Sequence, residues 1–270
     1  MSTLLVSHLS KRFDAFEALR DIDLTLQTGE FVALVGASGC GKSTLLRIIG
    51  GLETRSAGRL EVDGKPIAGP GHDRAMVFQD YSLYPWLTVA QNVRFCRGLK
   101  AYSKNQTSSE IGDSIRRSNL LIDLMGLARV RDARPNQLSG GMRQRVAIAR
   151  ALMAQPDFLL MDEPFGALDT QTREVMHDLV LHVKAAERSA FLFVTHDVEE
   201  AVYLADRVIV LAPNPGRVDS VWPIALPARH QSLKMTPEFL HIKREITDRI
   251  RATSGMYSDL AALQALSGGA

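Results

Sequence analysis

Gly36-Ala37-Ser38-Gly39-Cys40-Gly41-Lys42-Ser43-Thr44 is the stretch on which the reading of this chain turns. It fits Gly-x-x-x-x-Gly-Lys-Ser, the spacing of a phosphate-binding loop. Its flanks suit that reading. Phe31–Val35 before it is a continuous apolar run, expected as a buried strand, and an apolar helix is expected after it. The glycines let backbone N–H groups face phosphate oxygens with no Cβ in the way. A helix starting near Lys42 adds the positive end of its dipole. Lys42 is expected to reach the β- and γ-phosphates and Ser43 to coordinate Mg²⁺. Such a loop serves kinases, GTPases and transport ATPases alike, so it does not name an activity alone.

Before that strand, Ile22, Leu24 and Leu26 alternate with Asp21, Asp23, Thr25 and Gln27, the period of a half-exposed strand, and Thr28-Gly29 turns the chain. Gly58–Val62, Asp63-Gly64 and Lys65–Ile67 read as a hairpin. Short apolar runs at Ala75–Phe78, Phe158–Met161, Ala190–Val194 and Arg207–Leu211, separated by helical patterns, predict an α/β sheet. From about Tyr81 to Asn136 no strand pattern occurs. Ala101–Ser109 is polar and loop-like, and Ile111, Ile115, Leu121, Ile122 and Met125 mark an amphipathic helix. This predicts a helical insertion, about 81–155 with the helix that follows, inside one domain spanning 3–250, with 251–270 as a tail. Thr236-Pro237-Glu238 reads as a helix start. Phe239, Ile242, Ile246 and Ile250 then form an apolar face expected to pack on the protein's own core; a regulatory or dimerisation role is the other reading.

Composition narrows the partners. The net charge is +2, and the 32 Lys and Arg are scattered rather than gathered into a stripe, which argues against nucleic acid. Cys40 and Cys96 make neither a disulfide framework nor a metal-ligand spacing, and a thiol inside the phosphate loop favours a reducing compartment. Met1–Arg12 lacks the features of a signal peptide. No apolar run approaches the roughly 20 residues that cross a bilayer, so work at a membrane would require a membrane partner.

Two further motifs carry chemistry. Phe158-Leu159-Leu160-Met161-Asp162-Glu163 is an apolar strand ending in two acids at its carboxyl end, where α/β sheets present ligand groups. Asp162 would hold Mg²⁺ through its water shell, and Glu163 is placed to polarise an attacking water. Leu138-Ser139-Gly140-Gly141-Met142-Arg143-Gln144-Arg145 offers a second anion site, with Ser139 as N-cap and two glycines leaving first-turn N–H groups open. One small chain has little use for two such sites on one nucleotide. Either two chains face each other across shared ATP, or this is an ordinary capped helix.

With these motifs in this order, the chain resembles the ATPase subunit of an ABC transporter over about residues 3–250. The resemblance implies a RecA-like core, an antiparallel β subdomain and a helical insertion. It implies that Phe13 stacks on adenine and that residues 36–44, namely Gly36, Ala37, Ser38, Gly39, Cys40, Gly41, Lys42, Ser43 and Thr44, hold the phosphates. Gln79, in Phe78-Gln79-Asp80, matches the glutamine that senses Mg²⁺ and the attacking water, so Ser43, Gln79 and Asp162 form the metal set. Ser139, Gly140, Gly141 and Met142 match the signature that closes on ATP held by the other protomer. Gly166-Ala167-Leu168-Asp169 matches the loop coupling the two sites, with Asp169 near nucleotide. His196, in Thr195-His196-Asp197, matches the histidine at the γ-phosphate; with Glu163 and Gln79 it makes up the catalytic set. Met142 stands where glutamine is commonest and Phe13 where tyrosine is; anion binding by Ser139 and backbone, and stacking by a ring face, survive both changes.

Asp80–Val89, Phe165–Asp169 with Thr172-Arg173, the Pro215-Gly216-Arg217 turn and Phe239…Lys243-Arg244-Glu245 resemble the nitrate, taurine and aliphatic-sulfonate importer ATPases of bacteria. That likeness implies ATP and Mg²⁺ as cofactors and a homodimer docked on polytopic permease subunits, served indirectly by a substrate-binding protein. It places the chain peripherally at the cytoplasmic face of the inner membrane, driving uptake of nitrate, taurine or another sulfonate. An importer of another small solute, such as a vitamin or pyrimidine precursor, and a soluble non-transport ABC ATPase are the alternatives. Tyr81, Tyr84 and Trp86 either ring a groove for a helix of the membrane subunit or lie buried under the insertion.

Overall fold

The computed structural model describes residues 2–98, 108–166, 168–227 and 229–254. Most of the expected polar loop (101–107), Ala167 of the expected coupling loop, and the tail from 255 onward lie outside them. Two sheets organise the chain. The antiparallel one has the order β2-β1-β4-β5, from β1 (Thr3–Phe13), β2 (Phe16–Gln27), β4 (Ala57–Val62) and β5 (Lys65–Pro66). The six-stranded one has the order β10-β9-β3-β8-β7-β6, from β3 (Phe31–Gly36), β6 (Arg74–Val77), β7 (Phe158–Asp162), β8 (Ala190–Val194), β9 (Arg207–Ala212) and β10 (Arg217–Pro223). Its strands are parallel except for β10 against β9. The mixed α/β fold expected from the sequence is the fold observed.

β3 lies inside the larger sheet with both faces covered, which is why it reads as an unbroken apolar run. Phe31, Ala33 and Val35 enter one core and Val32 and Leu34 the other. The first core is closed by the helices α4 (Gly140–Met153), α5 (Thr170–Ala186), α6 (Val198–Leu204) and α7 (Pro237–Ser254). The second is closed by α1 (Lys42–Ile49) and by Leu4, Val6, Leu9, Ile22, Leu24 and Leu26 of the antiparallel sheet.

Between β6 and β7 the described residues are helical or irregular, with α2 (Val89–Arg94) and α3 (Ser108–Leu124) packed against α4. Here the expected amphipathic face needs correction. Leu121, Ile122 and Met125 are buried, but Ile111 and Ile115 are each 41% exposed. The face docks through its C-terminal half, where buried Ser118 accepts a 2.7 Å hydrogen bond from Arg94 Nε in place of an apolar contact. α7 starts at Pro237, and Thr236 Oγ1 accepts from Phe239 N at 3.4 Å. Phe239 and Ile246 are fully buried, Ile242 and Ile250 pack against the same core, and the helix lies on α6 and β9.

Burying a phenyl ring in this way sets a stability contrast along α7. Phe239→Ala should cost about 3–5 kcal/mol, while Leu240→Ala, at a half-exposed neighbour, should cost under about 0.5 kcal/mol. Urea titration of both variants checks this.

Candidate functional site

The carboxyl ends of β3, β7 and β8 lie side by side, and the loops leaving them converge. A cleft of about 440 Å³ forms there. Its walls are Phe13, Phe16 and Ala18 from the antiparallel sheet, the phosphate loop around Gly41, Lys42 and Ser43, and Glu163 with His196. A larger cleft of about 770 Å³ at the opposite, N-terminal ends of the strands, near Gly29, Asp157 and Ser189, contains none of the expected site residues.

Two of the loop's three glycines, Gly36 and Gly41, are required by close approach. Gly36 has φ +153°, and a Cβ there would sit 2.5 Å from Leu211 O. Gly41 has φ +94°, and a Cβ would meet Leu19 Cδ2 at 2.5 Å. Lys42 is buried, and its Nζ donates to Gly36 O at 2.8 Å and Ala37 O at 3.0 Å, so the ammonium is folded along the loop that it follows. Cys40 is also buried; desolvation pushes its thiol pKa up despite nearby Lys42, so the sulfur packs beneath the loop as a neutral group.

Ser43 Oγ donates to Asp162 Oδ1 at 2.8 Å, tying the start of α1 to the end of β7. Asp162 is buried, and desolvation raises its pKa, with the Ser43 hydrogen bond opposing and the Glu163 charge adding. A buried carboxylate beside a hydroxyl, with a second carboxylate next in sequence, is a donor set that suits a hard divalent cation. The residues therefore fit Mg²⁺. Gln79 lies just past β6 on an exposed stretch and does not line the cleft.

Glu163 has φ +44°, an unfavourable backbone for a residue with a Cβ, and is held by its N–H donating to Val194 O at 2.9 Å. This turn directs its carboxylate toward His196, whose Nδ1 is 3.3 Å from Glu163 Oε2. Phe13, Lys42, Ser43, Thr44, Glu163 and His196 are thus brought to one cleft.

Other expected residues lie elsewhere. Ser139 caps α4, its Oγ accepting from Met142 N at 3.2 Å, with an exposed hydroxyl outside the cleft. A Cβ on Gly141 would meet Thr172 Cγ2 at 2.5 Å, so this helix start sits tightly against α5. Asp169 caps α5 and accepts from Thr172 N at 3.0 Å; hydrogen bonding from the Thr172 side chain, and then from its backbone, lowers the Asp169 pKa. Phe16, which sequence reasoning does not single out, pairs with Phe13 across the hairpin turn and adds a second ring to the cleft.

The aromatic stretch after Gln79 is firmly held. Asn92, buried in α2, accepts from Tyr84 N at 2.9 Å and donates to Leu87 O at 3.1 Å. Arg150 donates to Ser82 O at 2.7 Å and Tyr81 O at 3.0 Å. The Tyr84 ring packs on Phe95 at 4.2 Å, leaving Trp86 65% exposed.

Residues 19–166 match the family model described as ABC transporter. The chain is 48% identical over 241 residues to the nitrate import ATP-binding protein NrtD of a Synechocystis species, covering 87% of this chain and 88% of that one. It is 41% identical over 247 residues to the taurine import ATP-binding protein TauB of Burkholderia pseudomallei, covering 89% and 92%. Among solved structures, it is similar to the dimeric structure of MJ0796, a bacterial ABC transporter cassette, with TM-score 0.72, 32% identity and coverage of 83% and 100%. The likeness to cbiO1 of Clostridium perfringens, part of the ABC transporter complex cbiONQ, has TM-score 0.71, 25% identity and coverage of 97% and 98%.

Because the folded-state pKa of Asp162 is raised, ionising it opposes folding above the ordinary carboxylate range, and that opposition disappears as pH falls through it. Without added nucleotide or metal, Asp162→Asn should therefore raise Tm at pH 7, with the gain shrinking toward pH 3. Thermal unfolding across that pH range checks the sign.

Proposed function

The chain belongs to the ABC transporter family, and from that membership we propose that it is the ATP-hydrolysing subunit of an importer for a small anion: nitrate, taurine or a related sulfonate. The observation that carries this reading is the convergence of Lys42, Ser43, Asp162, Glu163 and His196 at the carboxyl edge of one sheet. The names of the nitrate and taurine import relatives support the substrate class.

In the mechanism, the phosphate-loop N–H groups and Lys42 bind the β- and γ-phosphates. Phe13 and Phe16 offer ring faces to the base. Ser43 and Asp162 would hold Mg²⁺, whose charge offsets that of the phosphate oxygens; Gln79 lies outside the cleft and is not part of that set in this structure. Glu163 takes a proton from the attacking water as its oxygen forms a bond to the γ-phosphorus. The bond from that phosphorus to the bridging oxygen breaks, and ADP leaves with the electron pair. His196 donates to a γ-phosphate oxygen and so steadies the charge on the transferring group.

The Ser139-Gly140-Gly141 helix start supplies its N–H groups to ATP held by a second copy of the chain, which makes the homodimer the working unit. Support comes from the position of Ser139, exposed and outside the cleft of its own chain, and from the dimeric solved relative. No helix among the described residues is long and apolar enough to cross a membrane. With the import ATP-binding relatives as support, the chain acts peripherally, at the cytoplasmic face, through permease subunits served by a substrate-binding protein. The rigidly held loop presenting Trp86 is the docking face for those subunits.

Glu163→Gln keeps the shape of the site and removes the proton acceptor. It should cut hydrolysis by about 10²-fold or more and convert the chain to an ATP-dependent dimer on size-exclusion chromatography. In cells with the complete transporter it should abolish uptake of labelled nitrate or taurine. A variant that hydrolyses ATP normally, or stays monomeric with ATP while the wild type turns over, contradicts the proposal.

A further inference from the structure

Behind the His196 loop lies a charged cluster whose members Glu200, Arg173 and His177 do not line the cleft. Glu200, on α6, is only 4% exposed. Its Oε2 accepts from Thr195 Oγ1 at 2.7 Å. The same hydroxyl oxygen accepts from Asp197 N at 3.0 Å, so Thr195 fixes the backbone on both sides of His196. Glu200 Oε1 faces Arg173 Nε at 3.6 Å and His177 Nε2 at 3.5 Å. Neither of these nitrogens makes a hydrogen bond, so with Arg173 the attraction is one of charge rather than of bond geometry.

Arg173 reaches the other way as well. Its Nη2 donates to Leu168 O at 3.0 Å, and Nη1 is 3.9 Å from Asp197 Oδ2. The ring of His177 meets Phe165 edge-on, with centroids 5.0 Å apart. The turn that follows Glu163, through Phe165 and Leu168, and the loop carrying His196 therefore share one anchor.

Burying a carboxylate costs free energy, and an apolar replacement usually stabilises at least as well. In some proteins a buried ionic cluster instead fixes the mutual geometry of the segments it joins. We propose that Glu200 and Arg173 are positioning residues that lock the Thr195-His196-Asp197 loop to the Leu168–Asp169 turn. The approach of His196 to the γ-phosphate and the placement of that turn against the second copy then change together, so one site's state passes to the other. This rests on the reading of Glu163 and His196 as serving hydrolysis in a dimer. Neither Glu200 nor Arg173 touches the reacting atoms.

The test is steady-state ATP hydrolysis by the full chain, with melting followed in parallel. Thr195→Val removes the hydroxyl and Thr195→Ser keeps it. Glu200→Gln keeps an acceptor for Thr195 and removes the charge facing Arg173. Thr195→Val and Glu200→Gln should lower kcat by about tenfold or more with KM for ATP within about threefold. Thr195→Ser should restore kcat to within about threefold of wild type. Glu200→Gln should also bring the Hill coefficient for ATP down to about 1. If Glu200→Gln does not fold, the two Thr195 variants decide the matter alone.

Wild-type kcat and Hill coefficient in folded Thr195→Val and Glu200→Gln overturn the proposal. So does loss of kcat that tracks loss of Tm and is not restored by Thr195→Ser, because that describes packing alone. Glu163→Gln and His196→Ala run alongside keep the two readings apart. If these lose hydrolysis while the Thr195 and Glu200 variants do not, only the coupling fails. If these hydrolyse normally, the hydrolytic reading fails and the coupling falls with it.

Discussion

β3 has no face turned to solvent: Phe31, Ala33 and Val35 sit in one core and Val32 and Leu34 in the other, with β8 and β9 hydrogen-bonded along its two edges. A strand held on four sides delivers the chain at Gly36 in one position only. There the backbone must pass close under the Leu211 carbonyl with φ +153°, a passage that a Cβ would block. The loop and α1 follow from that exit, and Ser43 ties them to Asp162 on β7. Glu163 and His196 leave the neighbouring strand ends β7 and β8, so the same sheet register that fixes β3 fixes their separation. The site is thus rigid where phosphate and metal chemistry need placed groups, and the antiparallel sheet adds Phe13 and Phe16 at its edge.

Some of this is legible in the sequence for a plain reason. β3, β7 and β8 are buried on both faces, so burial writes itself as unbroken apolar runs, and the phosphate-loop spacing stands directly after the first of them. β1 is not legible by alternation. Leu4 and Val6 face the core, but a register shift between Val6 and Leu9, with His8 at φ +49°, breaks the period of two. Losing β1 also hides Phe16, whose place in the cleft comes from its pairing with Phe13 across the hairpin. β10 is an edge strand of mixed burial and carries no clear period.

Tertiary partners decide the remaining cases. On α3, Arg94 takes Ser118 as a buried partner, which displaces the expected apolar face away from Ile111 and Ile115. Asp197, Glu199 and Glu200 look alike in sequence, three acids at a helix start. Asp197 accepts from Glu199 N as the cap, the Glu199 carboxylate meets Lys243 of α7, and Glu200 turns inward to Thr195. Lys243 in this way joins the C-terminal helix to the element that follows His196. The proposed second anion site is legible as chemistry, with Ser139 capping α4, but its job is not legible within one chain because Ser139 does not line that chain's cleft.

In the proposed dimer, each ATP is gripped by the Lys42 loop of one copy and the Ser139 turn of the other. The direct measurement counts ATP retained by mixed dimers isolated through two different tags, every copy carrying Glu163→Gln so that bound ATP persists. With Lys42→Ala on one copy and Ser139→Arg on the other, both changes fall in the same shared site, and one of the two sites stays intact. With both changes on a single copy, each site receives one of them and no ATP is retained. The reverse pattern, retention only when both changes sit on one copy, would mean that each chain holds its own ATP and that the sites are not shared.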